Sequence, residues 1–288
     1  MELMVISDVY GDEEILDQLM YQLEGDDRIT LVAGDIGIYQ KWTDDLKRYH
    51  KHVTKVLEKL LSFSQRVYYI PGDTDAETVE IENDEIINVD KKFEIIDGES
   101  KIAIFGLGGA PARGLRNPNL FGYTWDEGKG SAWNELEKIL KINLEKIQLE
   151  EPDFTVLLSH SPPYGVADKS MPISFQQLID REDLPEQEPG GNNVKTNPRQ
   201  LGSNILGKMD KNYEIDLHLF GHVHNRGGTH KKVDGTHQFN VSHLSVAPRR
   251  LYGRKYLRVN LSKENLEWKF ESAVTADLDF ETFLETYL

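Results

Sequence analysis

Ile215-Asp-Leu-His-Leu-Phe-Gly-His-Val-His224 runs a short apolar strand, Asp216–Phe220, into a glycine and then into two histidines separated by one residue. Alternation along an extended segment puts both imidazoles on one side. The same arrangement recurs upstream. Leu3–Ser7 runs into Asp8, with Tyr10 two residues on; Ile29–Ala33 runs into Gly34-Asp35; Arg66–Ile70 runs into Pro71-Gly72-Asp73-Thr74-Asp75; and Phe154–Ser159 runs into His160-Ser-Pro-Pro. Five apolar runs therefore end in a carboxylate or an imidazole, commonly beside glycine or proline. Near-continuous apolar runs of this length suit strands covered on both faces. In open α/β sheets the carboxyl ends of the strands are where ligands bind.

Helical patterns lie between these strands. Thr43–Ser62 keeps Leu46, Tyr49, Val53, Val56, Leu57, Leu60 and Leu61 on a 3.6-residue period, with Thr43 as cap, and Ser131–Leu149 reads similarly through Trp133, Leu136, Ile139, Leu140 and Leu144. A further strand is predicted at Lys101–Phe105. Strands alternating with helices predict an α/β fold. After residue 225, His237–Ser242, Lys255–Leu261 and Leu266–Glu271 read as antiparallel strands closing the same domain. Residues 1–288 are thus expected to form one domain, with 263–288 a C-terminal strand and helix packing on it. Asp279–Leu288 carries one apolar helical face, which docks on the body or forms a homodimer contact. Gly108–Gly130 and Asp180–Gly202 lack periodicity and read as long functional loops.

The three carboxylates Asp8, Asp35 and Asp73 and the three imidazoles His160, His222 and His224 form a mixed oxygen and nitrogen donor set. Such a set suits Mn, Fe or Zn better than Ca, which prefers oxygen alone. The chain has no cysteine, which excludes disulfides, thiolate metal sites and cysteine nucleophiles. With no apolar run near 20 residues and no basic n-region at the amino terminus, neither a membrane span nor a signal peptide is expected, and the expected location is cytoplasmic. The net charge of −16 disfavours polynucleotide partners, because phosphate binding needs clustered Lys and Arg.

The order Asp8, Gly34-Asp35, Gly72-Asp73-x-Asp75, His160 and Gly221-His222-x-His224 resembles the calcineurin-like metallophosphoesterases over roughly residues 1–250. Phe105-Gly-Leu-Gly-Gly109, Ser159-His-Ser-Pro-Pro-Tyr-Gly165 and Leu201-Gly-Ser203 resemble a compact prokaryotic branch of them. The resemblance implies a four-layer α/β-β/α sandwich with two metals. By position, Asp8, Asp35 and His224 would hold one, and Asp35, Asp73, His160 and His222 the other, with Asp35 bridging. It also implies a metal-dependent phosphoesterase acting on a small phosphate mono- or diester by attack of a metal-bridging hydroxide. Asp35, Thr74 and His222 then occupy catalytic positions.

Three positions depart from the family pattern. Tyr10 replaces a histidine, either as a tyrosinate ligand to ferric iron or as a packing and hydrogen-bonding group. Asp73 replaces an asparagine, so three carboxylates around two divalent cations leave about one positive charge. Thr74 replaces the catalytic histidine, and general-acid help is worth roughly 10²–10⁴-fold, so slow turnover is expected. These departures also motivate an alternative, a metal-binding pseudo-phosphatase with a regulatory or binding role. Arg113, Arg116 and Arg226 are candidate phosphate-binding residues. Asp168 is a candidate loop anchor, His218 reads as core, and His50 and His52 as solvent-facing on their helix. Gly106–Gly109 lacks the full dinucleotide-loop spacing.

Overall fold

The computed structural model describes residues 1–23, 25, 27–38, 45–79, 81–112, 122–127, 131–169, 200–242, 244, 255–263 and 265–273. Arg113, Arg116, Thr43, His243 and the expected helix Asp279–Leu288 lie outside these residues, as do most of both long loops.

Two six-stranded sheets form the centre. The first has the order β14-β13-β1-β2-β3-β4, built from β1 (Glu2–Ile6), β2 (Arg28–Ala33), β3 (Arg66–Ile70), β4 (Ile86–Asn88), β13 (Lys255–Ser262) and β14 (Asn265–Ser272). The second has the order β11-β12-β10-β9-β6-β5, built from β5 (Phe93–Ile96), β6 (Ile102–Leu107), β9 (Phe154–Ser159), β10 (Leu217–Phe220), β11 (Thr229–Val233) and β12 (Thr236–Asn240). Two-residue strands β7 (Ala110–Pro111) and β8 (Thr124–Trp125) pair with each other. The helices are α1 (Glu13–Gln22), α2 (Leu46–Leu61), α3 (Ser131–Glu150) and α4 (Asn204–Asn212).

Alternation along each strand divides its side chains between two apolar layers. Leu3, Val5, Leu31 and Ile70 from the first sheet meet Ile104, Val156, Leu158 and Leu219 from the second, so the sheets pack face to face. The intervening residues point outward. Met4, Ile6, Val32 and Tyr69 meet Ile15, Leu16 and Leu19 of α1 and Tyr49, Val53, Val56 and Leu57 of α2. On the far side Ala103, Phe105 and Leu157 meet Leu136, Leu140 and Leu144 of α3 and Leu206 and Met209 of α4. The result is the expected four-layer α/β-β/α sandwich. Each fully buried aliphatic side chain in these layers contributes roughly 1.5–3 kcal/mol, which is why the six-strand frame holds its edge residues still.

The structure corrects three details. Helix α2 begins at Leu46, capped by the Asp45 carboxylate, which accepts from Arg48 N at 3.0 Å. The strands after residue 225 do not form one closing sheet. β12 lies parallel to β10 and carries β11 to the edge of the second sheet, whereas the β13–β14 hairpin joins the first sheet antiparallel to β1. The wide gap between the two hairpins in sequence gave no cue that they serve different sheets. Helices α1 and α4 and strands β4, β5 and β11 also form; their short apolar patterns were too brief to read.

Candidate metal centre

The carboxyl ends of β1, β2, β3, β9 and β10 open onto one rim, and each sequence-predicted ligand sits on the turn just beyond. These turns are tight. Asp8, Tyr10, Asp35 and His222 have φ of 59°, 51°, 52° and 67°. Left-handed backbone at non-glycine residues costs of order 1–3 kcal/mol and concentrates at functional sites. Two glycines allow the turns to meet. A Cβ on Gly72 would lie 2.1 Å from Asp35 Oδ1, and one on Gly221 would lie 2.0 Å from Ser7 Oγ and 2.7 Å from Asp8 Oδ2. Backbone bonds then lock motif to motif, Asp8 N donating to Gly34 O at 3.0 Å and Gly221 N to His160 O at 3.0 Å.

Asp73 Oδ1 lies 2.8 Å from His160 Nε2 and 3.1 Å from His222 Nδ1. Asp8 Oδ1 lies 2.9 Å from His224 Nε2. The other ring nitrogen of His160, Nδ1, bonds Ala33 O at 2.8 Å, which orients the ring with Nε2 towards the carboxylates. Two sets, Asp73-His160-His222 and Asp8-Asp35-His160, bring their donor atoms within 4.8 Å of one another. The structure therefore joins all six expected donors, with His160 between the carboxylates of both sets and 3.5 Å from Asp35 Oδ1.

Asp8, Asp35, Asp73 and His160 are at most 1% exposed. Burial alone pushes each carboxyl up, and the outcome depends on neighbours. For Asp73, His222 and His160 outweigh burial and hold the group below the usual range. For Asp8, His224 does the same. For Asp35, burial together with Asp73 and Asp8 outweighs His160 and raises it to about 7. Burial lowers His160 and His224, but the surrounding carboxylates override it and both are raised. Among the described residues, Asp35 and Asp73 are met by imidazoles, a phenol and a backbone N–H, with no Lys or Arg. Three buried carboxylates facing imidazoles, with no Lys or Arg on Asp35 or Asp73 among the described residues, are a donor set that fits cations.

The three departures have distinct geometries. Tyr10 Oη donates to Asp35 Oδ2 at 2.5 Å and lies 3.1 Å from His224 Nε2 and 3.4 Å from Asp8 Oδ1. Burial, then Asp35 and Asp8, raise the phenol well above its ordinary value, so in this arrangement it keeps its proton. The Thr74 hydroxyl donates to Gly37 O at 3.0 Å, while Thr74 N donates to Asp35 Oδ1 at 3.0 Å. The side chain is therefore engaged with the turn that carries Asp35, and the backbone holds the Asp35 carboxylate. Asp75 accepts from Ile36 N, Gly37 N and Gly72 N at 2.8–2.9 Å and from Tyr49 Oη at 2.9 Å, which straps the Asp35 turn to the Asp73 turn.

A second network escaped the sequence reading. Ser159 Oγ donates to Ser161 O at 2.7 Å and lies 2.8 Å from His218 Nε2, and His218 Nδ1 lies 2.9 Å from Asp210. The set looks like a hydrolytic triad, but Ser159 and His218 are fully buried, so no substrate reaches the hydroxyl. It braces the turn after His160. The signal was present in outline: His218 and Ser159 stand on neighbouring strands, at positions facing α4.

Other expected residues fall as follows. Arg226 is exposed on the 3-10 turn His224–Arg226. Asp168 anchors its loop, accepting from Gly165 N at 2.7 Å. His218 is core. His50 and His52 are not solvent-facing but half-buried, and His52 Nε2 is so close to Gly11 that a Cβ there would collide with it. Gly106 and Gly108 abut the backbone of Val89 and Pro71, which explains that glycine run as packing.

The description of the calcineurin-like phosphoesterases matches residues 1–226, a span that contains all of these turns. The chain belongs to that family. Calcineurin-like phosphoesterases are hydrolases built around a dinuclear metal centre. Three of the solved structures that share the fold are similar over nearly the whole of both chains. One superposes with a TM-score of 0.61 over 94% of this chain and 98% of its own at 17% identity. The protein TT1561 of Thermus thermophilus gives 0.52 over 94% and 98% at 16% identity. The phosphopantetheinyl hydrolase of Mycobacterium tuberculosis gives 0.51 over 93% and 95% at 15% identity. At these identities the likeness concerns the fold alone. No curated protein sequence matches the chain significantly. Among the described residues, no helix is long and apolar enough to cross a membrane.

Proposed function

We propose that this calcineurin-like phosphoesterase hydrolyses a small phosphate mono- or diester at the Asp8–His224 rim. The observation that supports it is the convergence of three buried carboxylates, buried His160 and the part-buried His222 and His224 at adjoining strand ends: the sets Asp73-His160-His222 and Asp8-Asp35-His160 each bring their donor atoms within 4.8 Å, and His224 Nε2 lies 2.9 Å from Asp8 Oδ1. Asp8, Asp35 and His224 would hold one cation and Asp35, Asp73, His160 and His222 the other, with Asp35 shared. The mixed donors suit Mn, Fe or Zn. Two such cations supply an acidified water as nucleophile and counter-charge for the phosphoryl oxygens.

The protein's own groups do the rest. The Ala33 carbonyl fixes the ring of His160, and Thr74 N and the Tyr10 phenol hold Asp35. Tyr10 acts as a hydrogen-bond donor in this reading, not as a tyrosinate ligand. Arg226 stands two residues beyond His224 and could pair with a substrate phosphate. Because the Thr74 hydroxyl is spent on Gly37 O, no imidazole or free hydroxyl at that position protonates the leaving group. Turnover is therefore slow on esters with poor leaving groups.

The test is an assay of an aryl phosphodiester and an aryl phosphomonoester with added Mn, using wild type, Asp35→Asn and His222→Ala. Metal-dependent turnover by wild type alone is expected. Wild type indistinguishable from both variants would remove the enzymatic reading and leave a metal-binding pseudo-phosphatase.

A further inference from the structure

Against the face of the second sheet that carries α4, the chain lines a cavity of about 380 Å³, within the range of small-molecule sites. Its walls come from two segments. One is the loop Gly165–Lys169 that leaves β9 after His160; the other carries Arg226 and Lys231 away from His224. Gln238 lies at its floor, and Lys231 is the cross-strand partner of Gln238, so the two share a face of the second sheet.

The lining is cationic in a chain whose net charge is −16. Lys169, Arg226 and Lys231 contribute positive charge, and Asp168 is the carboxylate among the lining residues. Asp168 is 2% exposed and already accepts from Gly165 N, so its charge is turned into the loop. Among the described residues, neither the Arg226 guanidinium nor the Lys231 ammonium has a side-chain partner. Acidic groups outnumber basic ones 49 to 33 along the chain, so two cations that line one concavity without a side-chain partner among the described residues stand out. A guanidinium and an ammonium lining one cavity suit a phosphate better than a carboxylate, because a phosphate offers three oxygens to share between them.

We propose that this cavity binds the phosphate group of a small phosphorylated molecule independently of the metal centre. That phosphate belongs either to a second position on the molecule being hydrolysed or to a separate ligand. The chemistry is shared, and the experiment separates the two sources.

Thymidine 3′,5′-bisphosphate is titrated calorimetrically into protein kept in chelator, with thymidine as control. Saturable binding with Kd below about 1 mM is expected for the bisphosphate and none for thymidine. Lys231→Gln weakens it about tenfold, and Lys231→Arg restores it. Absence of binding, or Lys231→Gln binding as wild type does, overturns the proposal. The titration needs no turnover, so failure of the phosphoesterase reading leaves its result standing. The second arm compares kcat/KM for the 5′-(p-nitrophenyl phosphate) of thymidine with and without a 3′-phosphate. A preference for the 3′-phosphate that vanishes in Lys231→Gln supports the substrate source. No preference, with binding retained, supports the separate ligand.

Discussion

Removing metal and raising the pH from about 5.5 to about 8.5 is expected to destabilise the fold by about 2 kcal/mol through Asp35 alone. Burial, reinforced by Asp73 and Asp8, raises the Asp35 carboxyl to about 7. The folded chain thus keeps a proton that the unfolded chain releases near pH 4. Folding takes up that proton, so the native state loses stability as the pH rises towards and through 7. From 5.5 to 7 is about 1.5 pH units at 1.36 kcal/mol each, which gives the figure. His160 and His224, also raised, act in the same direction: their contribution is complete below about 6.5 and is lost above it. Asp8 and Asp73 are held low, so their contributions are constant across this window. Bound cations take the place of the protons, so metal-loaded protein lacks the slope. Urea unfolding at both pH values, with chelator or with Mn, measures it; Asp35→Asn serves as control for the general charge of the chain. Chelated protein equally stable at both values, or an unchanged slope in Asp35→Asn, would refute the reasoning.

Three further outcomes follow from single contacts. Tyr10→Phe removes a buried hydrogen bond to a carboxylate and is expected to cost the chelated protein about 1.5–3 kcal/mol by urea unfolding, with little change in Mn affinity. Ser159→Ala leaves His218 Nε2 and Ser161 O without their buried hydroxyl, and a loss of about 1–3 kcal/mol is expected in the same measurement. Thr74→His puts an imidazole where the hydroxyl now bonds Gly37 O, and at least a tenfold gain in kcat on an alkyl ester is expected, with little gain on a p-nitrophenyl ester.

The rim was legible because its residues occupy strand ends, and an apolar run followed by Gly-Asp or Gly-His is a local pattern. Asp8, Asp35, Asp73, His160, His222 and His224 each announced themselves within a few residues of sequence. What braces them did not. Tyr49 reads as one more apolar residue on α2, yet its hydroxyl holds Asp75 across the fold. Asp210 sits in a short helix with no clear period, and its contact with His218 exists only once α4 packs on the second sheet. Tyr10 could be read two ways because neither its proton nor the direction of its ring is written in the sequence; the fold sets its hydroxyl 2.5 Å from Asp35 Oδ2, as a donor to the carboxylate. The assignment of the β11–β12 and β13–β14 hairpins to different sheets likewise depended on long-range pairing.

Two cations are expected to share Asp35. Electron paramagnetic resonance of protein reconstituted with Mn tests it directly. Two Mn per chain with an exchange-coupled signal are expected, and uncoupled or lost Mn in Asp35→Asn. A single Mn, or two with independent six-line spectra in wild type, would contradict it.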